Sequence, residues 1–177
     1  MQRMRVVAGT AKGRRLVAPK GLDVRPTTDR AREAIGNRLT SMGVLADARV
    51  LDLFAGTGAL GIEALSRGAA HATFVDNAAA SIQAVERNLE TLGLAERATV
   101  VRADAASFRP SGPVDIAFVD PPYTWDGWPA LLARVPAAIV VCEARQPVEP
   151  PEGWELARSD RYGTTVITLL RAPKRIL

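Results

Sequence analysis

Residues 52–61 read Asp-Leu-Phe-Ala-Gly-Thr-Gly-Ala-Leu-Gly, a Gly-x-Gly-x-x-Gly turn between a short apolar run, Arg49 to Phe54, and a helix-like run, Thr57 to Arg67. A glycine turn leading from a strand into a helix belongs to an open α/β sheet, where it brings backbone close to a ligand at the carboxyl ends of the strands. The rest of the chain fits that frame. Ala72 to Val75, Ala98 to Arg102, Val114 to Val119 and Ala137 to Cys142 predict further strands. Ala78 to Leu92 carries Ile82, Val85, Leu89 and Leu92 on one helical face, and Trp125 to Arg134 predicts a second, short helix. Trp154 to Arg158 and Thr164 to Leu170 predict a terminal hairpin. Upstream, Thr28 to Met42 predicts a helix capped by Thr28 or Asp29. Alternating strands and helices give an α/β fold with a mostly parallel sheet.

The glycine spacing alone suits a nicotinamide dinucleotide as well as S-adenosylmethionine, and a turn that merely packs helix on strand is the bland alternative. Three acids argue for a ligand: Asp52 beside the turn, Asp76 20 residues after Gly56, and Asp104 past the third strand. Asp76 suits ribose hydroxyls, while Asp104 and the Ala105 N–H suit an adenine edge. Asp52 weighs against a pyrophosphate, which it would repel, and for a ligand carrying an ammonium and a sulfonium. The candidate cofactor contacts are therefore Asp52, Phe54, Ala55, Gly56, Thr57, Gly58, Asp76, Asn77, Asp104 and Ala105, with S-adenosylmethionine as cofactor.

A second motif, Asp120-Pro121-Pro122-Tyr123, follows the fourth strand. Consecutive prolines end the ladder and turn the chain. Beside the glycine turn, the motif looks like the [DN]PP[YF] signature of methyltransferases acting on exocyclic amino nitrogens. Such a nitrogen is conjugated with its ring and weakly nucleophilic. Asp120 and the Pro121 carbonyl can accept its two N–H bonds, Pro122 fixes the carbonyl's direction, and Tyr123 offers a ring for the base to stack on. The base has to be unpaired or flipped to reach them.

Charge is uneven. Ten of the 23 Lys and Arg lie in residues 1–38 against three of the 19 Asp and Glu, a net +7, while the remainder carries −3. That split suits contact with phosphates, or reflects an arginine-rich composition on a solvated surface. The 177 residues suffice for one domain with a real core, and no apolar run approaches the length of a membrane helix. A lone Cys142 and a lone His71 exclude a disulfide and make a metal site unexpected. No signal peptide is seen, so a cytoplasmic location is expected.

Taken together, the chain resembles the bacterial 16S rRNA (guanine-N2)-methyltransferases that modify a loop guanine in the head of the small ribosomal subunit. The resemblance rests on RVVAGTAKGRRL (Arg5 to Leu16), VRPTTDRAREAIGNRL (Val24 to Leu39), LDLFAGTGALGIEALSRGA (Leu51 to Ala69), FVDNAAASIQAVERNL (Phe74 to Leu89) and DPPY (Asp120 to Tyr123). It implies a Rossmann-like class I methyltransferase fold of seven strands, the last antiparallel. It also implies a basic hairpin-and-helix extension over residues 1–45 and a methyltransferase domain over 46–177. Arg14, Arg15, Arg25, Arg30 and Arg32 are then candidates for phosphate contact, and Thr27, Thr28 and Asp29 for lining the cleft. The implied partner is 16S rRNA within the small subunit or an assembly intermediate, met by a monomer with no membrane and no metal. Thr57 and Gly36 depart from the family pattern, where Ser and a bulkier apolar residue are expected; a glycine there costs roughly 1 kcal/mol of helix propensity relative to alanine. Adenine N6 as the target, an RNA-binding assembly module with a vestigial cofactor site, and a dinucleotide oxidoreductase are the alternatives.

Overall fold

The structure, a computed structural model, describes residues 4–21 and 27–174. Its elements run α1 (Asp29–Ser41), β1 (Arg49–Leu53), α2 (Ala59–Ser66), β2 (His71–Asp76), α3 (Ala79–Leu92), β3 (Ala98–Arg102), β4 (Val114–Val119), α4 (Trp128–Arg134), β5 (Ala137–Ala144), β6 (Glu155–Tyr162) and β7 (Thr165–Arg171). Seven strands form one sheet in the order β3-β2-β1-β4-β5-β7-β6. β1 to β5 pair in parallel, and β7 is antiparallel to both β5 and β6. The strand order reverses between β1 and β4, the switch point where α/β sheets open a crevice at their carboxyl ends.

Period-two alternation explains the layers. Along β4, Ile116 and Phe118 enter one apolar cluster and Ala117 and Val119 another, so the strand is buried on both faces. The first cluster takes Ile35 and Leu39 of α1, Ile62 and Leu65 of α2, and Val85 and Leu89 of α3; the second takes Leu131 and Leu132 of α4. Helix α1 starts where Thr28 accepts a hydrogen bond from the Ala31 N–H at 3.2 Å. Helix α2 begins at Ala59, later than Thr57, because Gly58 is left-handed at φ +80°. Trp125 lies in the loop before α4, where its N–H closes a turn on the Pro122 carbonyl at 2.9 Å.

The amino-terminal residues form an antiparallel pair centred on Arg5 and Arg15. They are bolted to the sheet's helices. Glu63 of α2 accepts the Val7 and Ala8 N–H groups at 2.9 and 3.0 Å, and the Ser66 side chain accepts from Ala11 at 2.9 Å. Asn88 of α3 exchanges hydrogen bonds with Val17 and donates to the Thr57 carbonyl. Gly9 is required at this junction, since a Cβ there would lie 1.9 Å from the Ser66 carbonyl oxygen. Gly36 has a similar cause. Its missing side chain makes room for the Arg67 guanidinium, whose carbon would sit 2.4 Å from a Cβ at that position.

Candidate functional site

A cavity of about 710 Å³ opens at the carboxyl ends of β1, β2, β4 and β5. One wall is the glycine turn, held in shape by two carboxylates. Asp52 accepts the Gly61 N–H at 3.0 Å, while Asp76 accepts from Gly56 at 3.0 Å and from Ala78 at 2.9 Å. Gly61 admits α2 against β2, because a Cβ would lie 2.4 Å from the Phe74 ring. Phe54 turns the chain out of β1 at φ +60°, a conformation that costs a non-glycine residue on the order of 1 kcal/mol or more and collects at functional sites. Its ring meets Trp125 edge-on at 5.3 Å, and Trp125 meets Trp128 at 5.2 Å.

The other wall is Asp120 to Tyr123. The Tyr123 hydroxyl is hydrogen-bonded to the Thr165 hydroxyl at 2.7 Å, and the Arg145 guanidinium lies 4.7 Å from the centre of its ring. Asp120 stands beside Glu143 where the paired β4 and β5 end, and the Thr27 hydroxyl donates to Glu143 Oε2 at 2.6 Å. Burial drives the acidity of this group of acids. It lifts Asp52 to about 8 against the opposing Gly61 hydrogen bond, with the charges of Asp76 and Glu143 adding to the rise. Burial likewise pushes Asp120 and Glu143 upward, and the neighbouring charges of Glu143 and Asp52 raise Asp120 further.

Every residue expected to touch a cofactor, Asp52, Phe54, Ala55, Gly56, Thr57, Asp76, Asn77, Asp104 and Ala105, lines this cavity, with Gly58 immediately behind as the cap of α2. So do all four residues of the proline motif, together with Thr27 and Thr28. Among the described residues five carboxyl groups, Asp52, Asp76, Asp104, Asp120 and Glu143, line it, and no Lys, Arg or His does. The donor set fits a cationic ligand with hydroxyl and amino groups and is wrong for a pyrophosphate. Asp104 is exposed and accepts the Ala106 N–H at 3.0 Å.

The arginines behave differently. Arg14, Arg15 and Arg30 are exposed and stand outside the cavity lining, with Arg14 donating to the Thr91 carbonyl at 2.9 Å; Arg25 lies outside the described residues. Arg32 corrects an expectation. It is fully buried, bonded to Asp29, to the Arg5 carbonyl at 2.7 Å and paired with Glu63 at 3.6 Å, so its cation holds the fold and is not presented to phosphate. Asp29, bound to that cation, is likewise outside the cavity lining. Sequence reading also missed Glu143. The available signal was an acid at the end of AAIVVCEA, where a buried apolar strand has no ordinary use for a charge.

Among the described residues, no helix is long and apolar enough to cross a membrane, and no group of His, Cys, Asp and Glu is arranged to hold a metal ion.

Residues 4–171 match the family described as Conserved hypothetical protein 95. A Bacillus subtilis protein, YlbH, named as a candidate rRNA methyltransferase, is 41% identical over 185 residues, covering 95% of this chain and 98% of its own. The Escherichia coli K12 protein named Ribosomal RNA small subunit methyltransferase D is 47% identical over 122 residues, covering 68% of this chain and 60% of its own. Among solved structures, Escherichia coli yhhF superposes with a TM-score of 0.84 at 38% identity, covering 98% of this chain and all of that one. An S-adenosylmethionine-dependent methyltransferase from Thiobacillus denitrificans, solved with S-adenosyl-L-homocysteine, matches at TM-score 0.58 and 25% identity over 67% of this chain and 49% of its own.

Proposed function

The chain belongs to the family described as Conserved hypothetical protein 95, and from that premise we propose that it moves a methyl group from S-adenosylmethionine to the exocyclic N2 of a guanine in 16S rRNA of the small ribosomal subunit. The observation that carries this reading is that the glycine turn and Asp120-Pro121-Pro122-Tyr123 face one another in one cavity, lined among the described residues by five carboxyls and no cation. S-adenosylmethionine supplies an electrophilic methyl on a positively charged sulfur, and its ammonium adds a second positive charge to match those acids.

The residues divide the work by position. Asp76, already holding Gly56 and Ala78, turns its remaining lone pairs to ribose hydroxyls. Asp104 and the Ala105 N–H take the adenine edge, and Asp52 faces the ammonium. Asp120 and the Pro121 carbonyl accept the two N–H bonds of the guanine amino group and aim its electron pair at the methyl. Asp120 acts by orienting the amine, because the nitrogen becomes acidic only as the methyl arrives. Residues 1–45 form a basic extension that meets rRNA, with Arg14, Arg15, Arg25 and Arg30 toward phosphates, and residues 46–177 form the methyltransferase body. The protein works as a cytoplasmic monomer on the small subunit or an assembly intermediate, without a metal.

The test is transfer of labelled methyl to unmodified small subunits, followed by digestion of the rRNA to nucleosides. N2-methylguanosine is expected. N6-methyladenosine would keep cofactor and fold and overturn the base, and label in neither base would overturn the reaction on this substrate. Asp120→Ala is expected to lower kcat about 10²- to 10³-fold while S-adenosylmethionine still binds; full activity in that variant would remove Asp120 from the mechanism.

A further inference from the structure

Glu143 has no role in the mechanism above, yet its side chain lines the same cavity and is only 6% exposed. Two contacts define it, the Thr27 hydroxyl at 2.6 Å and the Asp120 carboxyl. No ion pair among the described residues involves it. Two carboxyls side by side, Glu143 buried, cannot both ionise freely, so they share a proton between them. That proton is engaged within the pair, and the Thr27 proton is engaged on Glu143. What this cluster turns toward a ligand is therefore acceptor oxygen alone.

The purines differ at the atom beside the amino group. In guanine the 2-amino group adjoins N1–H, so the edge presents donors at neighbouring positions. In adenine the amino group adjoins N1 as a lone pair. The 2-amino group lies between N1–H and the N3 lone pair, and with the amine on Asp120 the base can turn its N1 side toward the neighbouring Glu143. There an acceptor-only oxygen receives N1–H and confronts a lone pair with repulsion and an unmet hydrogen bond.

Resting on the proposed reaction at this site, we propose that Glu143 is the residue that selects guanine, accepting the ring N1–H beside the amino group that Asp120 holds. Thr27 positions it, by occupying Oε2 from the side of the amino-terminal segment. A site built to hydrogen-bond one donor rejects an analogue lacking it far more strongly than a hydrophobic pocket rejects a change of shape.

The experiment uses the full-length protein and small subunits assembled on 16S rRNA in which the mapped target guanine is replaced by 2,6-diaminopurine. That base keeps the 2-amino group and puts a lone pair at N1. For the wild type, kcat/KM on guanine should exceed that on diaminopurine by about 10²-fold or more. Glu143→Gln, whose amide can donate to N1, should cut the ratio at least about tenfold, chiefly by raising the rate on diaminopurine. A ratio unchanged while both rates fall together would make Glu143 a structural residue and overturn the proposal. Calorimetric binding of S-adenosylmethionine and the thermal midpoint check the fold of the variant. Should Glu143→Gln fail to fold, Thr27→Val, which keeps the carboxyl and removes its donor, should lower the ratio about threefold or more, and no change there would equally overturn the proposal. If wild type methylates adenine on natural subunits, the reading of the reaction falls with this one. If N2-methylguanosine forms and the ratios do not move, only the role of Glu143 falls.

Discussion

Glu63 and Glu143 are both buried glutamates, 3% and 6% exposed, and they are buried for opposite reasons. Glu63 meets Arg67 at 3.1 Å, Arg32 at 3.6 Å and the Val7 and Ala8 N–H groups, so cations and backbone donors match its charge. Glu143 meets a hydroxyl and another acid. A carboxylate with cations beside it holds a fold together; one packed against its own kind is kept ready for a ligand that brings the missing donors.

The comparison is broken most directly at Glu63. Glu63→Gln leaves the buried Arg67 guanidinium without its carboxylate and Arg32 with Asp29 alone, and should lower stability by about 3 kcal/mol, read from urea midpoints. Glu143→Gln should shift the same midpoint by less than about 1 kcal/mol, since it removes no cation's partner; comparable losses would erase the distinction. The cavity acids also make a claim about pH. Asp52, lifted to about 8 from 3.8, holds a proton in the folded form that the unfolded chain gives up near pH 4. Its contribution is complete below pH 4 and is lost as pH rises through 8, so the ligand-free protein should become less stable between pH 5 and 9. Asp52→Asn should flatten that slope, and an unaltered slope would place the proton elsewhere. The smallest effect is at the surface. Replacing Arg14 and Arg15 by Gln should weaken RNA binding and reduce its salt slope by about 1 per charge removed, with S-adenosylmethionine affinity unchanged. Equal losses in both affinities would make these cations structural, as Arg32 is.

What could be read from residues alone followed from periodicity and turn chemistry. β3 and β4 fall at Ala98–Arg102 and Val114–Val119 as expected, and the glycine turn and Asp120 motif meet at one cavity. Charge misled where burial decided. Arg32 and Arg30 look alike in sequence, two residues apart on the same helix, and only packing shows that one faces Glu63 and the other solvent. Glu143 escaped because its partners are distant in the chain: the pairing of β4 with β5 brings Asp120 beside it, and Thr27 arrives with the start of α1. Gly36 looked like a weak point in a helix, and its cause is an arginine side chain 31 residues further on.

The attachment of the amino-terminal segment carries a consequence for how this protein is made. Residues 7–17 leave the ribosome before Glu63, Ser66 and Asn88, which hold them and follow 55 to 71 residues later. A chain interrupted before Glu63 has this segment synthesised and every one of those moorings missing. This segment is thus made before anything that can hold it, and its docking waits on α2 and α3.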